Sequence, residues 1–526
     1  MALDALAAKS RSGFANDGVT IFAALAALVC VAPAIAVIAF SLTSDGEGVA
    51  FGGDLLRDGA IGTLSLVLAG GAGAIVLGSA AAWLVSLCDF PGRRWFEWLL
   101  VIPLAAPSYV LTYAYTSFSW AGGVSPIEIR GFWGAVFIYS VGLYPYVYLA
   151  ARAAFASQSA CALEAARTLG AKPAELFWRV AAPLARPGIA AGGALAMMEI
   201  AADYGAAQHF GLTTLSTAVF RAWYAHQSLH AALQIAAVLL VAALVFLIIE
   251  RWARGRAAFA GGSTRWRPLP RYTLSTPMAL LAVLFCASLA IFGAILPLAW
   301  LGRLAILHAN VGDVAPAFVN SIILSATGAL LTLVLAAIIA VAARRGAKMG
   351  RASLYAAAMG YAAPGAVIAI GALALFASAR EAGWIGGLGT GLALAALFWA
   401  YAARFASAGV QPIDAGLARL SKGLDASART LGAGPWRRLA EIDLPIAAPS
   451  LAAAALILFV EILKELPATL ILRPFDFDTL AVKAYSYASD ERLLEAAAPA
   501  LLIFLVGLAP ILILTRGISR ARAGER

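Results

Sequence analysis

Charged residues are scarce in this chain of 526 residues: Asp, Glu, Lys and Arg together make up 13% of it, and hydrophobic residues make up 62%. A soluble protein of this length carries about twice as much charge. The mean hydropathy of +0.86 therefore excludes an ordinary soluble protein and indicates a polytopic membrane protein. The net charge of +10 is then explained by basic cytoplasmic loops, and no nucleic-acid partner is expected.

Residues that bind metals or form disulfides are also few. The cysteines and histidines stand singly along the chain, at Cys30, Cys88, Cys161, Cys286, His209, His226, His230 and His308. Their spacing fits neither a disulfide framework nor a metal-ligand motif. No clustered nucleophile and base appears either, so we predict no catalytic residue, no metal site and no enzymatic activity on this chain.

What the chain has in abundance is apolar runs of roughly 20 residues, the length that crosses a bilayer. They lie near 19–41, 60–88, 97–118, 131–155, 184–207, 231–250, 276–302, 318–343, 353–378, 385–407, 446–472 and 494–515. We interpret the first as a retained span, although small residues at Ala34 and Ala36 would also suit signal-peptide cleavage. The sequence thus predicts an all-α membrane protein with about 12 transmembrane helices in two sets of six.

Basic residues indicate the orientation of these helices. With the N-terminus in the cytoplasm, 29 of the 38 Lys and Arg residues fall on the cytoplasmic side. Because six spans return the chain to the side where it began, the two halves are parallel repeats and both termini are cytoplasmic. We therefore divide the chain into a first repeat at 1–250, a basic cytoplasmic linker at 251–275 and a second repeat at 276–526.

Two polar stretches almost repeat each other at an offset of 262 residues: EAARTLGAKPAELFWRVAAPLARP, which ends at Pro187, and ASARTLGAGPWRRLAEIDLPIAAP, which ends at Pro449. Each contains a glycine, Gly170 or Gly432, that can take a left-handed conformation and end a helix. A proline three residues later suits the first turn of the next helix. Each stretch is therefore predicted to form a helix–turn–helix at the cytoplasmic face, within loops at about 157–183 and 408–445. An amphipathic loop with no partner is the alternative for a single copy.

These residues resemble the coupling motif of permease subunits of binding-protein-dependent ABC importers, in which Glu-Ala-Ala precedes a glycine and an Ile-x-Leu-Pro. The matching positions are Glu164, Ala165, Ala166, Arg167, Leu169, Gly170 and Pro183 in the first copy, and Asp425, Ala426, Arg429, Leu431, Gly432, Ile442 and Pro445 in the second. Ala182 replaces the usual leucine in the first copy. In the second, Ala426 occupies the acidic position and Asp425 precedes it, so the two docking contacts are expected to be similar and not identical.

The resemblance covers nearly the whole chain and implies a type I ABC importer permease fold in the bacterial inner membrane. It implies two copies of a cytoplasmic ATPase subunit docked at the two loops and a periplasmic substrate-binding protein. No G-x-x-x-x-G-K-[ST] motif occurs in this chain. We therefore expect no cofactor here, and ATP and Mg on the partner subunits.

Acidic residues recur in the hydrophobic helix that follows each polar stretch. The first repeat has Glu199 and Asp203, and the second has Glu461 and Glu465 at the 262-residue offset. Each pair is spaced i, i+4 and so shares one helix face. Ionisable groups in a membrane are costly and usually face a bundle interior or a wet path, so we predict a translocation path or gate. The alternative is structural, with Lys464 neutralising Glu461 or an acid on another helix.

The cargo is indicated by resemblance alone. The strings DYGAAQHFG, FRAWY, KELPATLILRPFDFDTLAV and ASDERL resemble the ferric iron branch of the fused permeases. Relatives for thiamine, phosphonate, polyamines or sulfate share the fold, so these cargoes remain alternatives. A 12-helix secondary transporter is the alternative from another class, and it has no need of paired cytoplasmic loops.

Overall fold

The protein is helical over nearly all the residues that the structure describes. This computed structural model describes residues 2–43, 48–120, 129–156, 168, 170, 173–260, 271–344, 348–384, 386, 389–418, 423, 427–428 and 430–523. Its helices in the first half are α1 (Ala2–Ser41), α2 (Gly48–Leu87), α3 (Arg93–Leu99), α4 (Ser108–Trp120), α5 (Gly131–Ala156), α6 (Pro173–Leu176), α7 (Ala182–Ala202), α8 (Gly205–His209), α9 (Leu215–Phe220) and α10 (Leu229–Ala260). The all-α class predicted from hydropathy is confirmed.

The second half repeats this succession of long and short helices. Its helices are α11 (Thr276–Ala290), α12 (Leu296–His308), α13 (Val311–Arg344), α14 (Lys348–Ala362), α15 (Gly365–Glu381), α16 (Thr390–Leu417), α17 (Pro435–Arg438), α18 (Leu444–Leu463), α19 (Pro467–Leu472), α20 (Leu480–Ser489) and α21 (Leu493–Ala523). Two short strands, β1 (Cys88–Asp89) and β2 (Tyr272–Thr273), pair in parallel. Helix α10 runs to Ala260, so the first ten residues of the predicted linker are helical.

Ten segments of the described residues are long and apolar enough to cross a membrane. They are Ile21–Ser41, Gly53–Leu87, Gly131–Ala156, Phe177–Ala202, Leu229–Trp252, Thr276–His308, Val311–Arg344, Thr390–Leu417, Ala440–Leu463 and Leu493–Pro510. Two bent helix pairs also meet the criteria when each pair is taken together. If each bent pair is one span the total is 12, in agreement with the sequence prediction.

The bent pairs correct the expectation of single helices over 97–118 and 353–378. Arg93–Ala105 meets Ser108–Phe118 at 91°, and Gly350–Ala362 meets Gly365–Glu381 at 108°. An Ala-Ala-Pro sequence ends at each break, with Pro107 or Pro364 as its last residue. Proline removes a backbone donor and pushes the residue before it out of the helical region, so both spans break there.

The chain forms two compact units, and each of them contains segments of both sequence repeats. Unit 1 comprises residues 1–48, 227–240 and 316–479, and unit 2 comprises 49–226, 241–315 and 480–526. In unit 1, α1 packs against α14, α15 and α16. The indole Nε1 of Trp399 donates to the carbonyl of Val29 at 2.9 Å, and Ser353 Oγ donates to the carbonyl of Ala23 at 2.9 Å. The first helix of the chain is thereby fixed to helices of the second repeat.

Unit 2 shows the converse arrangement. The segment formed by α11 and α12 contacts α5 and α21. Tyr115 donates its hydroxyl proton to the carbonyl of Phe292 at 2.5 Å, and Trp300 Nε1 donates to Ser117 Oγ at 3.0 Å. Helices α5 and α7 also pack closely, because a methyl group added at Gly192 would lie only 2.7 Å from the Cα of Val147.

Candidate functional site

The two repeated polar stretches turn at their glycines. Gly170 and Gly432 have φ angles of +82° and +78°, the left-handed conformation predicted for them. A Cβ at either position would meet no atom within 4 Å, so the requirement for glycine is conformational and not steric. Helices α6 and α17 begin three residues later, at Pro173 and Pro435. The turn-and-restart predicted for both stretches is thus confirmed at these residues.

Each stretch then passes through a π-helical turn before it enters the next long helix. These turns span Phe177–Ala181 and Leu439–Asp443, again 262 residues apart. Each ends two residues before a proline, Pro183 or Pro445. Because proline donates no hydrogen bond and its ring clashes with the carbonyl four residues back, the preceding turn opens to the wider π form.

Aligned apolar side chains attach the π-helical turns to the cores of the two units. Val180 packs against the hydrophobic cluster of unit 2 that contains Tyr148 and Phe155. Its counterpart Ile442 packs against the cluster of unit 1 that contains Ile413. Each unit therefore carries one turn-bearing stretch that is packed against its hydrophobic core through the same repeat position.

Other side chains of these stretches are exposed on the surface of the protein. Leu431 is 85% exposed and Trp178 is 72% exposed. Pro183 is half-buried and Pro445 is exposed. The remaining predicted coupling residues lie outside the described residues, namely Glu164, Ala165, Ala166, Arg167, Leu169, Asp425, Ala426 and Arg429. ATPase docking therefore stays a prediction for all of these positions.

The predicted acid pairs lie where α7 and α18 end. Asp203 leaves α7 with extended backbone (ψ 130°) and accepts hydrogen bonds from the backbone N–H groups of Ala206 at 2.8 Å and Ala207 at 3.4 Å. These N–H groups are in the first turn of the short helix α8 and have no partner within that helix, so Asp203 caps the helix that follows the break. Ser108 and Tyr139 are further polar neighbours of this carboxylate.

Glu465 does the same at the aligned position of the second repeat. Its Oε1 accepts from the backbone N–H of Ala468 at 3.1 Å, and it is 6% exposed. The same oxygen lies 3.0 Å from Nη1 of Arg404 on α16. A Cβ at Gly365, the first residue after the proline break, would collide with both charged groups. The ion pair therefore occupies the space that this glycine leaves open, and it links three helical segments of unit 1.

The other acids differ between the repeats as well. Glu461 pairs with Lys464 at 2.7 Å, which is the first of the two arrangements considered for Lys464. At the 262-residue offset, Lys464 aligns with Ala202 and Arg404 aligns with Gly142. The second repeat thus supplies one cation for each of its two acids, whereas the aligned positions of the first repeat supply none. A role for Glu199, Asp203, Glu461, Lys464 and Glu465 in a translocation path stays a prediction.

The sequence analysis did not predict that Arg404 is the partner of Glu465. A signal was present, because Arg404 aligns with Gly142 and is therefore specific to the second repeat. Metal ligation has no support from side-chain clustering: across the described residues, no group of three or more His, Cys, Asp or Glu side chains could hold a metal ion.

Comparison with known proteins agrees with this internal repetition. A sequence model described as "Binding-protein-dependent transport system inner membrane component" matches residues 74–259 and again residues 332–523. The two matches together cover more than half of the chain. The second lies within the second repeat, and the first covers most of the first repeat and extends into the predicted linker as far as residue 259.

Three curated relatives illustrate the range of similarity. The Fe(3+)-transport system permease protein FbpB 2 of Haemophilus influenzae is 27% identical over 464 residues, which cover 86% of this chain and 88% of that protein. The molybdenum transport system permease protein ModB of Escherichia coli K12 is 28% identical over 189 residues, 32% of this chain and 81% of its own length. The sulfate transport system permease protein CysT of Synechococcus elongatus is 33% identical over 129 residues, which cover 23% of this chain and 46% of that protein.

Proposed function

Because the chain belongs to the family of binding-protein-dependent transport system inner membrane components, as a fused permease with two family domains, we propose that it forms the membrane path of an ATP-driven importer of ferric iron. Cargo delivered by a periplasmic binding protein would cross to the cytoplasm by alternating access. The cargo assignment rests on the ferric iron permease relative, which this chain matches over 86% of its length. Molybdenum, sulfate or phosphonate transport is the alternative carried by shorter matches.

The observation that carries the ATP-driven mechanism is the repeated turn geometry of the two polar stretches. Gly170 and Gly432 share one backbone conformation, and each stretch is anchored to the core of its own unit. Two copies of a cytoplasmic ATPase subunit would bind these stretches, one copy at each. Closing and opening of the ATPase pair would then move the two helical cores and expose the path to each side in turn.

The proposed orientation has both termini in the cytoplasm. It is supported by the distribution of basic residues and by the even number of spans in each repeat. On this orientation both turn-bearing stretches face the cytoplasm, where ATPase subunits are available, and the breaks at Asp203 and Glu465 lie toward the periplasm. We place the protein in a bacterial inner membrane, with cofactors confined to ATP and Mg on the partner subunits.

Transport by a reconstituted system tests this proposal. Proteoliposomes that contain the permease, its ATPase subunit and its binding protein should accumulate ⁵⁵Fe(III) only when ATP is enclosed with the ATPase. Molybdate, sulfate and 2-aminoethylphosphonate should be transported far more slowly. Uptake that continues without the ATPase subunit and follows an imposed ion gradient would instead establish a secondary transporter. Faster uptake of one of the other solutes would overturn the cargo assignment.

A further inference from the structure

A polar cavity of about 370 Å³ lies within unit 2, apart from the turn-bearing stretches. It is formed by α4, by the start of α5, by α8 and by the connection between α20 and α21. Its lining includes Tyr113, Thr116, Arg130, His209, Tyr485 and Glu491. The first four come from the first repeat and the last two from the second. Such a volume fits a small solute.

The cavity changes character from mouth to floor. Arg130 and Glu491 are exposed, whereas Tyr113 is 1% exposed and Thr116 is 9% exposed. The mouth is therefore charged and wet, and the floor is aromatic and dry. On the proposed orientation this mouth opens toward the periplasm, where a binding protein would release its cargo.

One residue at the mouth has a left-handed backbone conformation. Glu491 has a φ of +59°, a left-handed conformation that is unfavourable for a residue with a side chain. Backbone hydrogen bonds hold it in place, because the N–H of Arg492 donates to the carbonyl of Tyr487 at 2.8 Å. A left-handed residue followed by a hydrogen bond to the carbonyl five residues back is a common way to end a helix, here Leu480–Ser489.

The floor presents a neutral histidine. The hydroxyl of Thr116 donates to the carbonyl of Thr112 at 2.8 Å, so its oxygen accepts the Nε2–H of His209 at 3.0 Å. Burial, assisted by the charge of Arg130, lowers the pKa of His209 to about 4. The ring is therefore uncharged at neutral pH and adds no second cation to the cavity.

The charged side chains that line the cavity are Arg130 and the carboxylate of Glu491, both at its mouth. The guanidinium of Arg130 lies at the N-terminus of the 26-residue helix α5, whose dipole also favours negative charge. The hydroxyl of Tyr113 is buried with no hydrogen-bond partner among the described residues. The hydroxyl groups of Tyr485 and Tyr204 are hydrogen-bonded at 2.6 Å. Because Tyr204 is the residue after Asp203, this bond connects the floor of the cavity to the end of α7.

We propose that this cavity is the entry site of the permease and that it binds the oxyanion part of the cargo through Arg130, the start of α5 and the Tyr113 hydroxyl. The proposal rests on the proposed import function, and it deepens that function: ferric ion would enter the permease as an oxyanion complex and not as a bare cation. Arginine and a helix N-terminus are the donors that oxyanions prefer in proteins.

Comparison of the repeats supports a functional role for the polar lining. Gln208 and His209 of α8 line the cavity, and their counterparts at the 262-residue offset are Leu470 and Ile471 of α19. Helix α19 forms with those apolar residues. The short helix therefore does not need the polar side chains in order to fold, and their presence in one repeat alone fits a ligand site.

The test is equilibrium binding to the full-length permease in lipid nanodiscs, without ATP or binding protein. The two probes are ³²P-labelled pyrophosphate alone and its soluble ⁵⁵Fe(III) complex. Arg130→Gln should weaken binding about 10- to 100-fold, since a charge-assisted hydrogen bond contributes about 1.5–3 kcal/mol. Tyr113→Phe should weaken it about 2- to 10-fold. Gln208→Leu, which copies the second repeat, should also weaken it in a chain that still folds.

Two matched variants serve as controls. Arg303→Gln removes another exposed arginine of unit 2, and Tyr144→Phe removes another buried hydroxyl without a hydrogen-bond partner among the described residues. Both should bind as the wild type does. Tighter binding of the ferric complex than of pyrophosphate would identify the metal-bound oxyanion as the ligand, and equal binding would identify the free oxyanion.

No binding of either probe to the wild type, or wild-type binding by both Arg130→Gln and Gln208→Leu, would overturn the proposal. The proposed function fails separately, through ATP-independent uptake, because the binding assay contains neither ATP nor an ATPase subunit.

Discussion

Replacement of Glu465 by glutamine should destabilise the protein far more than the equivalent replacement in the first repeat. Glutamine keeps one oxygen to accept the N–H of Ala468, so the helix cap survives. The charge opposite Arg404 is lost, and the Arg404 side chain is only 14% exposed. Breaking a buried ion pair from one side costs about 3–5 kcal/mol. Asp203→Asn keeps the hydrogen bond that caps Ala206, and the first repeat has Gly142 at the position of Arg404, so no ion pair is lost there. We therefore expect this substitution to cost at most about 1 kcal/mol.

The assay is reversible unfolding in mixed micelles by titration with SDS, followed by circular dichroism. The double variant Arg404→Gln/Glu465→Gln completes a double-mutant cycle. Its loss of unfolding free energy should be about 2 kcal/mol smaller than the sum of the losses of the two single variants. Equal losses for Glu465→Gln and Asp203→Asn would refute the reasoning. So would additive losses in the double variant, since the ion pair would then contribute nothing.

Three smaller predictions follow from the same region of unit 1 and use the same unfolding assay. Gly365→Ala should cost about 1–3 kcal/mol because its Cβ collides with the ion pair, whereas Gly386→Ala, with nothing within 4 Å, should change stability by less than about 0.5 kcal/mol. Lys464→Met should lower stability by leaving Glu461 uncompensated, and Glu461→Gln in the same chain should restore most of it; no restoration would contradict the pairing. Tyr401→Phe removes a 2.6 Å hydrogen bond to Thr469 and should cost about 0.5–1.5 kcal/mol, so an unchanged free energy of unfolding would show that bond to be unimportant.

Local backbone chemistry was predictable from the sequence because it depends on neighbouring residues. The spacing of Gly170 and Pro173 specified a left-handed turn followed by a helix start, and the structure has both. The proline breaks were missed even though Pro107 and Pro364 were visible. Hydropathy averages over about 20 residues, so it detects an apolar segment and does not report a bend of 91° or 108° within it.

Contacts between distant segments could not be predicted in this way. The offset of 262 residues correctly paired Asp203 with Glu465, but it could not supply Arg404, which lies 61 residues before Glu465 on a different helix. The packing of α1 against helices of the second repeat was also missed, since apolar faces do not specify which neighbour covers them. The hydrogen bond between His209 and Thr116 could not be predicted either, because it joins positions 93 residues apart.

Two ATPase docking stretches, one in each repeat, are central to the proposed mechanism, and subunit stoichiometry tests them directly. Native mass spectrometry of the purified complex should find two ATPase subunits on the wild-type permease. A Gly170→Val/Gly432→Val variant should retain none, because valine is strongly disfavoured at φ near +80°. Gly386→Val, at an exposed position outside both stretches, without positive φ and with open space around it, should retain both subunits. Two ATPase subunits on the double variant would show that these stretches are not the docking sites.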